Sequence, residues 1–415
     1  MSFDLKQPEV TIGVVGHVDH GKTTLVQALT GIWTMRHSME VRESRTIFLG
    51  YADGEVWECH GCDYPDRYTP EPVCECKPGV KPRLLRRISF LDAPGHETLM
   101  AVMLSGVALM DGALLVIAAN EPCPQPQTRE HLAALEIIGV KRIIIVQNKI
   151  DVVSRERVLK NYDEIQRFIR GTIAEDAPII PVSALKRVNV DALLAAIQKY
   201  IPTTERELDK PPLMYVIRSF DVNKPGTPPD KIVGGVLGGA LIQGILRVGD
   251  EIEIRPGIEV RRTSSGKREY EPVLTRVEGL RFGDINVDKA MPGGLVAVAT
   301  SLDPSMTKAN AMVGNIVGKP GQLPPVLDSI TIHYSLFDKI LGLKEEIKVE
   351  PLRRGEQLYL TIGSSNVIGV VDSIKKDVAD IKLDRSISVW KGSRVAISRR
   401  VMGRWRLIGW GIVEV

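Results

Sequence analysis

Five short stretches place reactive residue types at spacings that can do chemistry. Gly16-His17-Val18-Asp19-His20-Gly21-Lys22-Thr23 fits G-x-x-x-x-G-K-[ST]. Its glycines let the backbone turn so that successive N–H groups and a helix N-terminus face a triphosphate. Lys22 then neutralises phosphate oxygens and the Thr23 hydroxyl can ligate Mg²⁺. Asp19, His20, Gly21 and Thr24 complete the candidate nucleotide loop. In Asp92-Ala93-Pro94-Gly95-His96, Asp92 can reach Mg²⁺ through water and the Gly95 N–H can meet a γ-phosphate. His96 can orient the attacking water, as a glutamine does in other nucleotide hydrolases.

Two further stretches address a base. The carboxylate of Asp151 in Asn148-Lys149-Ile150-Asp151 can accept from the guanine N1–H and N2–H₂ groups, and adenine has no matching pair of donors. Asn148 would fix the loop, and Lys149 would lie over the base. In Ser183-Ala184-Leu185, the Ala184 N–H can meet guanine O6. Either motif alone is an ordinary helix cap or turn, but the four in this order point to guanine.

The fifth stretch is Cys59-His60-Gly61-Cys62 followed by Cys74-Glu75-Cys76. Four of the five cysteines lie here, and in a cytosolic chain such clustering points to metal before disulfides. Four thiolates satisfy tetrahedral Zn²⁺, so Cys59, Cys62, Cys74 and Cys76 are the expected ligands, with His60 as a substitute. The second pair has one intervening residue, a poorer chelate than the two of the first, and the alternative is a loop with reduced thiols. Cys123, between Pro122 and Pro124, reads as structural.

The elements that must position these residues alternate. Short β-rich runs at Thr11–Val15, Arg87–Leu91, Ala113–Ala118, Arg142–Gln147 and Ile179–Val182 are separated by helical patterns starting near Lys22, Glu97, Thr128, Ser154 and Val190. This predicts a mostly parallel, doubly wound sheet whose loops at the strand C-termini carry the ligand. Pro, Thr and charge between Ile201 and Pro212 mark a linker. Beyond it, short strands with Gly turns, such as Gly234–Ala240 and Gly244–Ile254, predict a β-barrel, and a second Pro/Gly linker near Gly321–Leu327 opens another. The expected domains are 1–205 for nucleotide, with a cysteine-rich insertion at 54–80, then barrels at 206–325 and 326–415.

Composition sets bounds. With 415 residues, 44% hydrophobic and 25% charged, the chain suits two to four globular domains. A net charge of +3 is too small to argue for nucleic acid. No signal core or spanning apolar stretch is present, so the expectation is a cytoplasmic protein without membrane contact. The run Arg399–Trp410 interleaves basic and aromatic residues, which suits either an RNA-facing surface or a barrel strand with solvated arginines.

The four nucleotide motifs, with Pro126-Gln127-Thr128-Arg129-Glu130-His131, resemble the translational GTPases over the whole chain. Val14–Leu25, Leu104-Ser105-Gly106, Met110-Asp111-Gly112-Ala113, the cysteine insertion and Val216–Asn223 are similar to the gamma-subunit family of translation initiation factor two. The short stretch before the first strand favours its archaeal form. The resemblance implies an α/β P-loop GTPase domain followed by two β-barrels, slow GTP hydrolysis without a partner, and GTP/GDP, Mg²⁺ and Zn²⁺ as cofactors. It implies initiator methionyl-tRNA, alpha and beta subunits and the small ribosomal subunit as partners. It places Thr46 in the first switch, with its hydroxyl on Mg²⁺ and its N–H on the γ-phosphate. Lys22, Thr46 and His96 then form the catalytic set, and Thr23, Thr46, Asp19 and Ser44 the Mg²⁺ set. Ser44 stands where the family pattern usually has glycine. Tyr51 and Arg281 are candidates for the aminoacylated 3′ end. An elongation-type GTPase such as the selenocysteine-specific factor, and a GTP-regulated assembly hub, are the alternatives.

Overall fold

In the computed structural model, which describes residues 6–34, 50–93, 104, 109–262, 268–341 and 347–414, the alternating runs become a seven-stranded sheet. Along the chain come β1 (Val10–Gly16), α1 (Lys22–Thr30), β2 (Gly50–Glu58), β3 (Tyr68–Thr69), β4 (Arg83–Asp92), β5 (Gly112–Ala118), α2 (Pro126–Ile138), β6 (Ile143–Asn148), α3 (Arg155–Ile169), β7 (Ile179–Pro181) and α4 (Val190–Tyr200). The sheet order is β3-β2-β4-β1-β5-β6-β7. From β4 to β7 every neighbouring pair is parallel. β2 and β3 form an antiparallel edge. The helix expected near Glu97 lies outside the described residues.

The register explains why the strands read as unbroken apolar runs. β1, β5 and β6 are buried at every position, because both faces of the sheet are covered. On one face Val10, Ile12, Val14, Leu114, Val116, Ile144 and Val146 share a core with Leu25, Val26 and Leu29 of α1 and Leu193, Leu194 and Ile197 of α4. The alternate residues Leu115, Ile117 and Ile145 are buried on the other face. Each such side chain contributes about 1.5–3 kcal/mol by leaving water, which fixes the strand ends and hence the loops.

The chain divides into two compact units, the first built on the sequence up to Thr204 and the second beginning at Glu205. In the second unit, Leu213–Phe220, Val236–Gln243, Glu251–Arg262, Arg268–Phe282, Val296–Thr300 and Ile316–Gly318 pair into one sheet. Pairing of Glu251–Arg262 with Arg268–Phe282 closes it into a barrel. Val326–Leu336, Gln357–Ile362, Ser365–Lys375, Val378–Ser388, Arg394–Val401 and Arg404–Val413 form a second closed barrel. The basic and aromatic run is its last hairpin, with Arg406 buried, Arg400 and Arg404 exposed, and the Trp405 ring 5.5 Å from that of Tyr359.

Candidate functional site

The site gathers at the C-terminal ends of β1, β4, β5 and β6, where a parallel sheet leaves its loops free to carry ligand. β1 ends at Gly16, with φ 141°, where a Cβ would meet the Val116 carbonyl oxygen at 2.3 Å. The turn closes through Asp19, with φ 60°, and Gly21, with φ 85°, which caps α1. A Cβ on Gly21 would lie 2.4 Å from Asn148 Nδ2, so the glycine permits that close approach as well as the left-handed backbone.

Lys22 is buried beneath this loop. Its Nζ donates to Gly16 O at 2.9 Å and His17 O at 2.7 Å. Burial lowers the ammonium to about 8, against the opposing pull of Asp92 and Asp19. Three histidines surround it. The Gly16 N–H donates to His131 Nδ1 at 2.7 Å, and burial keeps His131 well below the usual imidazole range. His20, with its Nδ1 3.0 Å from Val116 O, is held down to about 3, chiefly by burial. Its Nε2 lies 3.5 Å from Glu121 Oε2, but a neutral ring makes that contact no ion pair. Burial and Lys22 also lower His17.

Two knots tie the loops together. Thr23 Oγ1 donates to Asp92 Oδ2 at 2.7 Å, and Thr34 Oγ1 donates to the same oxygen at 2.6 Å. Asp92 is buried, so a hydroxyl and a carboxylate, both hard oxygen donors suited to Mg²⁺, stand together beside Lys22. Thr34 carries no sequence signal of its own, since a lone threonine at the start of the segment Ile32–Tyr51, where the first switch is expected, matches no motif. The second knot is Asn148, whose Nδ2 donates to His20 O at 2.9 Å while its Oδ1 accepts the Ala184 N–H at 3.0 Å. That N–H, expected to meet a guanine oxygen, is thus directed to Asn148.

The remaining expected residues fall around these knots. Lys149 has φ 63° and Asp151 is exposed in the short helical turn Ile150–Val152 that follows it. Ser183 is buried, its Oγ accepts from the Lys186 N–H at 3.1 Å, and Leu185 is exposed. Thr24 is half-buried on α1, and Asp19 is exposed on the loop. Ser44, Thr46, Gly95 and His96 lie outside the described residues. The Tyr51 hydroxyl donates to Asp53 Oδ2 at 3.1 Å, and Arg281 Nη2 donates to Asp284 Oδ1 at 2.7 Å.

The zinc expectation needs correction. Cys59 is bonded to Cys74 and Cys62 to Cys76. A disulfide sulfur carries no thiolate charge and so is not the ligand Zn²⁺ requires. Among the described residues no group of three or more His, Cys, Asp or Glu is gathered to hold a metal. Cys123 is a free, half-buried thiol pushed up to about 12 by burial and by Glu164, which suits a structural residue.

The family description "Elongation factor Tu GTP binding domain" matches residues 7–203, and "Initiation factor eIF2 gamma, C terminal" matches 328–413. Translation initiation factor 2 subunit gamma of Aeropyrum pernix is 65% identical over 99% of this chain and 99% of its own length. The subunit of Archaeoglobus fulgidus is 58% identical over 98% and 95%. Among solved structures, bacterial selenocysteine-specific elongation factor EF-Sec superposes with a TM-score of 0.73 at 24% identity. This chain is covered to 98% and spans 58% of that one. Elongation factor SelB of Methanococcus maripaludis with a GTP analogue gives 0.71 at 22%, covering 100% and 80%. Those two share the fold alone. No helix among the described residues is long and apolar enough to cross a membrane. With its phosphate loop, parallel sheet and two barrels matched end to end by such relatives, the chain belongs to the translation initiation factor 2 gamma-subunit family and is a translational GTPase.

Proposed function

We propose that this chain, with GTP bound, carries initiator methionyl-tRNA to the small ribosomal subunit, and that GTP hydrolysis is the switch that releases it. The observation that supports it most is the joining of Thr23, Asp92 and Thr34 beside Lys22, which couples the phosphate loop to the strand that runs directly into Pro94-Gly95-His96. Thr23 and Asp92 would hold Mg²⁺, with Thr46 and, less directly, Asp19 and Ser44 completing its surroundings. When bound, the ion spreads the charge of the β- and γ-phosphates. Lys22 neutralises phosphate oxygens, Gly95 donates its N–H to the γ-phosphate, and His96 holds the attacking water in line. Asp151 selects guanine, Asn148 fixes the loop, and Ala184 shares its N–H between Asn148 and the base oxygen. Order and release of the switches around a γ-phosphate supply the two states a carrier needs.

In this reading the domains are 1–205, 206–325 and 326–415. Tyr51 and Arg281 serve the aminoacylated 3′ end, and alpha and beta subunits complete a cytoplasmic heterotrimer. Support comes from the name of the relatives, subunit gamma, over nearly full length. Zinc is given no part, because both cysteine pairs would first have to be reduced. The test is protection of the methionyl ester. Protein with GTP, and not with GDP, is expected to slow deacylation of initiator methionyl-tRNA, while elongator and selenocysteinyl tRNAs are unprotected. Equal protection of all three would overturn the initiation reading.

A further inference from the structure

The insertion that carries the cysteines is seated against the loop that addresses the base. At its foot the Cys59 N–H donates to Arg67 O at 2.8 Å, and Glu58 is clasped by Arg67 and by Arg83 at 2.6 Å. Tyr68 packs into the core that α4 also lines, with Val190, Leu193 and Leu194. Further out, Glu71 Oε1 lies 2.6 Å from Arg187 Nη1. Arg187 belongs to the turn that follows Ser183-Ala184-Leu185. That turn is closed by Ser183 N–H to Val188 O at 3.2 Å and Val188 N–H to Ser183 O at 3.0 Å. Within it Arg187 holds φ of 58°, a backbone that L side chains rarely adopt, and just beyond, Asn189 holds 59°, which asparagine tolerates.

The two bridges differ in access. Cys59 and Cys74 are 1% and 3% exposed, whereas Cys76 is exposed. The short insertion has little apolar core of its own, so the bridges take the place a metal would otherwise fill.

We propose that the cysteine-rich insertion is a disulfide-locked brace for the guanine loop, standing in place of a zinc knuckle, with Glu71 and Arg187 as the contact through which it holds the Ser183–Val188 turn. The proposal rests on the assignment of Ser183-Ala184-Leu185 to guanine. Glu71 and Arg187 are positioning residues, because they act on the base through the turn. Opening a bridge balances simply: one dithiol supplies two electrons and two protons, the S–S bond breaks, two thiols form, and the dithiol closes to its own cyclic disulfide. The Cys62–Cys76 bridge, exposed at Cys76, opens first and the buried Cys59–Cys74 bridge resists.

The test uses full-length protein purified without reductant or chelator. Thiol titration after denaturation is expected to find one reactive thiol, Cys123, and metal analysis no zinc. Five thiols with about one zinc per chain would overturn the lock. Fluorescent GDP is then titrated into the untreated protein, protein reduced with dithiothreitol in the presence of a chelator, a Cys62→Ser/Cys76→Ser variant and a Glu71→Gln variant. Reduction is expected to weaken GDP about twofold through faster dissociation, the most that an exposed ion pair can pass on to the turn. The double serine variant should lose up to the same factor, and Glu71→Gln should lose about twofold, as suits an exposed ion pair. Identical dissociation rates in all four would overturn the brace. Failure of the untreated protein to bind GDP at all would instead overturn the nucleotide assignment, and the brace with it.

Discussion

Raising the pH from 7 to 9 should weaken guanine nucleotide binding through one side chain, Lys22. Its ammonium is buried against Gly16 O and His17 O, and desolvation lowers it to about 8. A cation with a lowered folded pKa destabilises the empty protein. That cost is fully present below pH 8 and is relieved as pH rises toward the unfolded value, where the unfolded chain still binds the proton. It amounts to about 3 kcal/mol at roughly 1.4 kcal/mol per unit. Phosphate oxygens restore the charged form, so above pH 8 binding must take up a proton and affinity falls with a slope approaching one decade per unit. From pH 7 to pH 9 the expected loss is about tenfold. Asp92 and Asp19 oppose the shift from β4 and the loop, while His17, His20 and His131 are already neutral over this range and add no slope. Calorimetry of GDP binding at pH 9 in buffers of different ionisation enthalpy should find about 0.9 proton taken up per nucleotide, against about 0.1 at pH 7. A Lys22→Arg variant, whose guanidinium keeps its charge, should lose this uptake even if it binds more weakly. No uptake in the native protein, or the same uptake in the variant, would refute the argument.

Other consequences can be read from the two base loops. Asp151→Asn should weaken GTP by at least about tenfold and shift preference toward xanthosine triphosphate, measured by competition; unchanged GTP affinity would remove Asp151 from base recognition. Asn148→Ala leaves the His20 carbonyl and the Ala184 N–H without their shared partner. A cost of about 2 kcal/mol should lower the melting temperature of nucleotide-free protein by about 4–8 °C in calorimetry, and an unchanged transition would show that the link carries no stability.

Much of this arrangement was legible in the residues, for identifiable reasons. The runs at Thr11–Val15, Ala113–Ala118 and Arg142–Gln147 are strands because both sheet faces are covered, which leaves a continuous apolar signal. The phosphate loop was legible because Gly16 and Gly21 answer to backbone angles and close approaches that few other residues satisfy. The strand Gly50–Glu58 was not, since the positions its alternation buries include Gly50, Gly54 and Glu58 and the half-buried ones include Asp53 and Glu55, so no apolar periodicity marks it. Thr34 is not legible because its role depends on Asp92, 58 residues away, and spacing alone does not reveal that meeting. The cysteines misled because four thiols fit a metal as well as two disulfides. Pairing is decided by three-dimensional proximity, Cys59 with Cys74 and Cys62 with Cys76, and by redox conditions.

The floor of the phosphate loop shows why that motif needs more than its own residues. His17, His20 and His131 lie within the electrostatic reach of Lys22, and protonating any of them would place a second cation beside it. Burial keeps all three neutral near pH 7, so His131 can accept the Gly16 N–H while the positive charge stays on one nitrogen. That nitrogen is in turn held by the Gly16 and His17 carbonyls, so its position is set before any phosphate arrives. A site of this kind meets phosphate with little reorganisation, and reorganisation in a low-dielectric setting is the costly part of binding charge. His131 sits on α2, 115 residues beyond Gly16, so the helix beginning at Pro126 belongs to the phosphate site as firmly as the loop does.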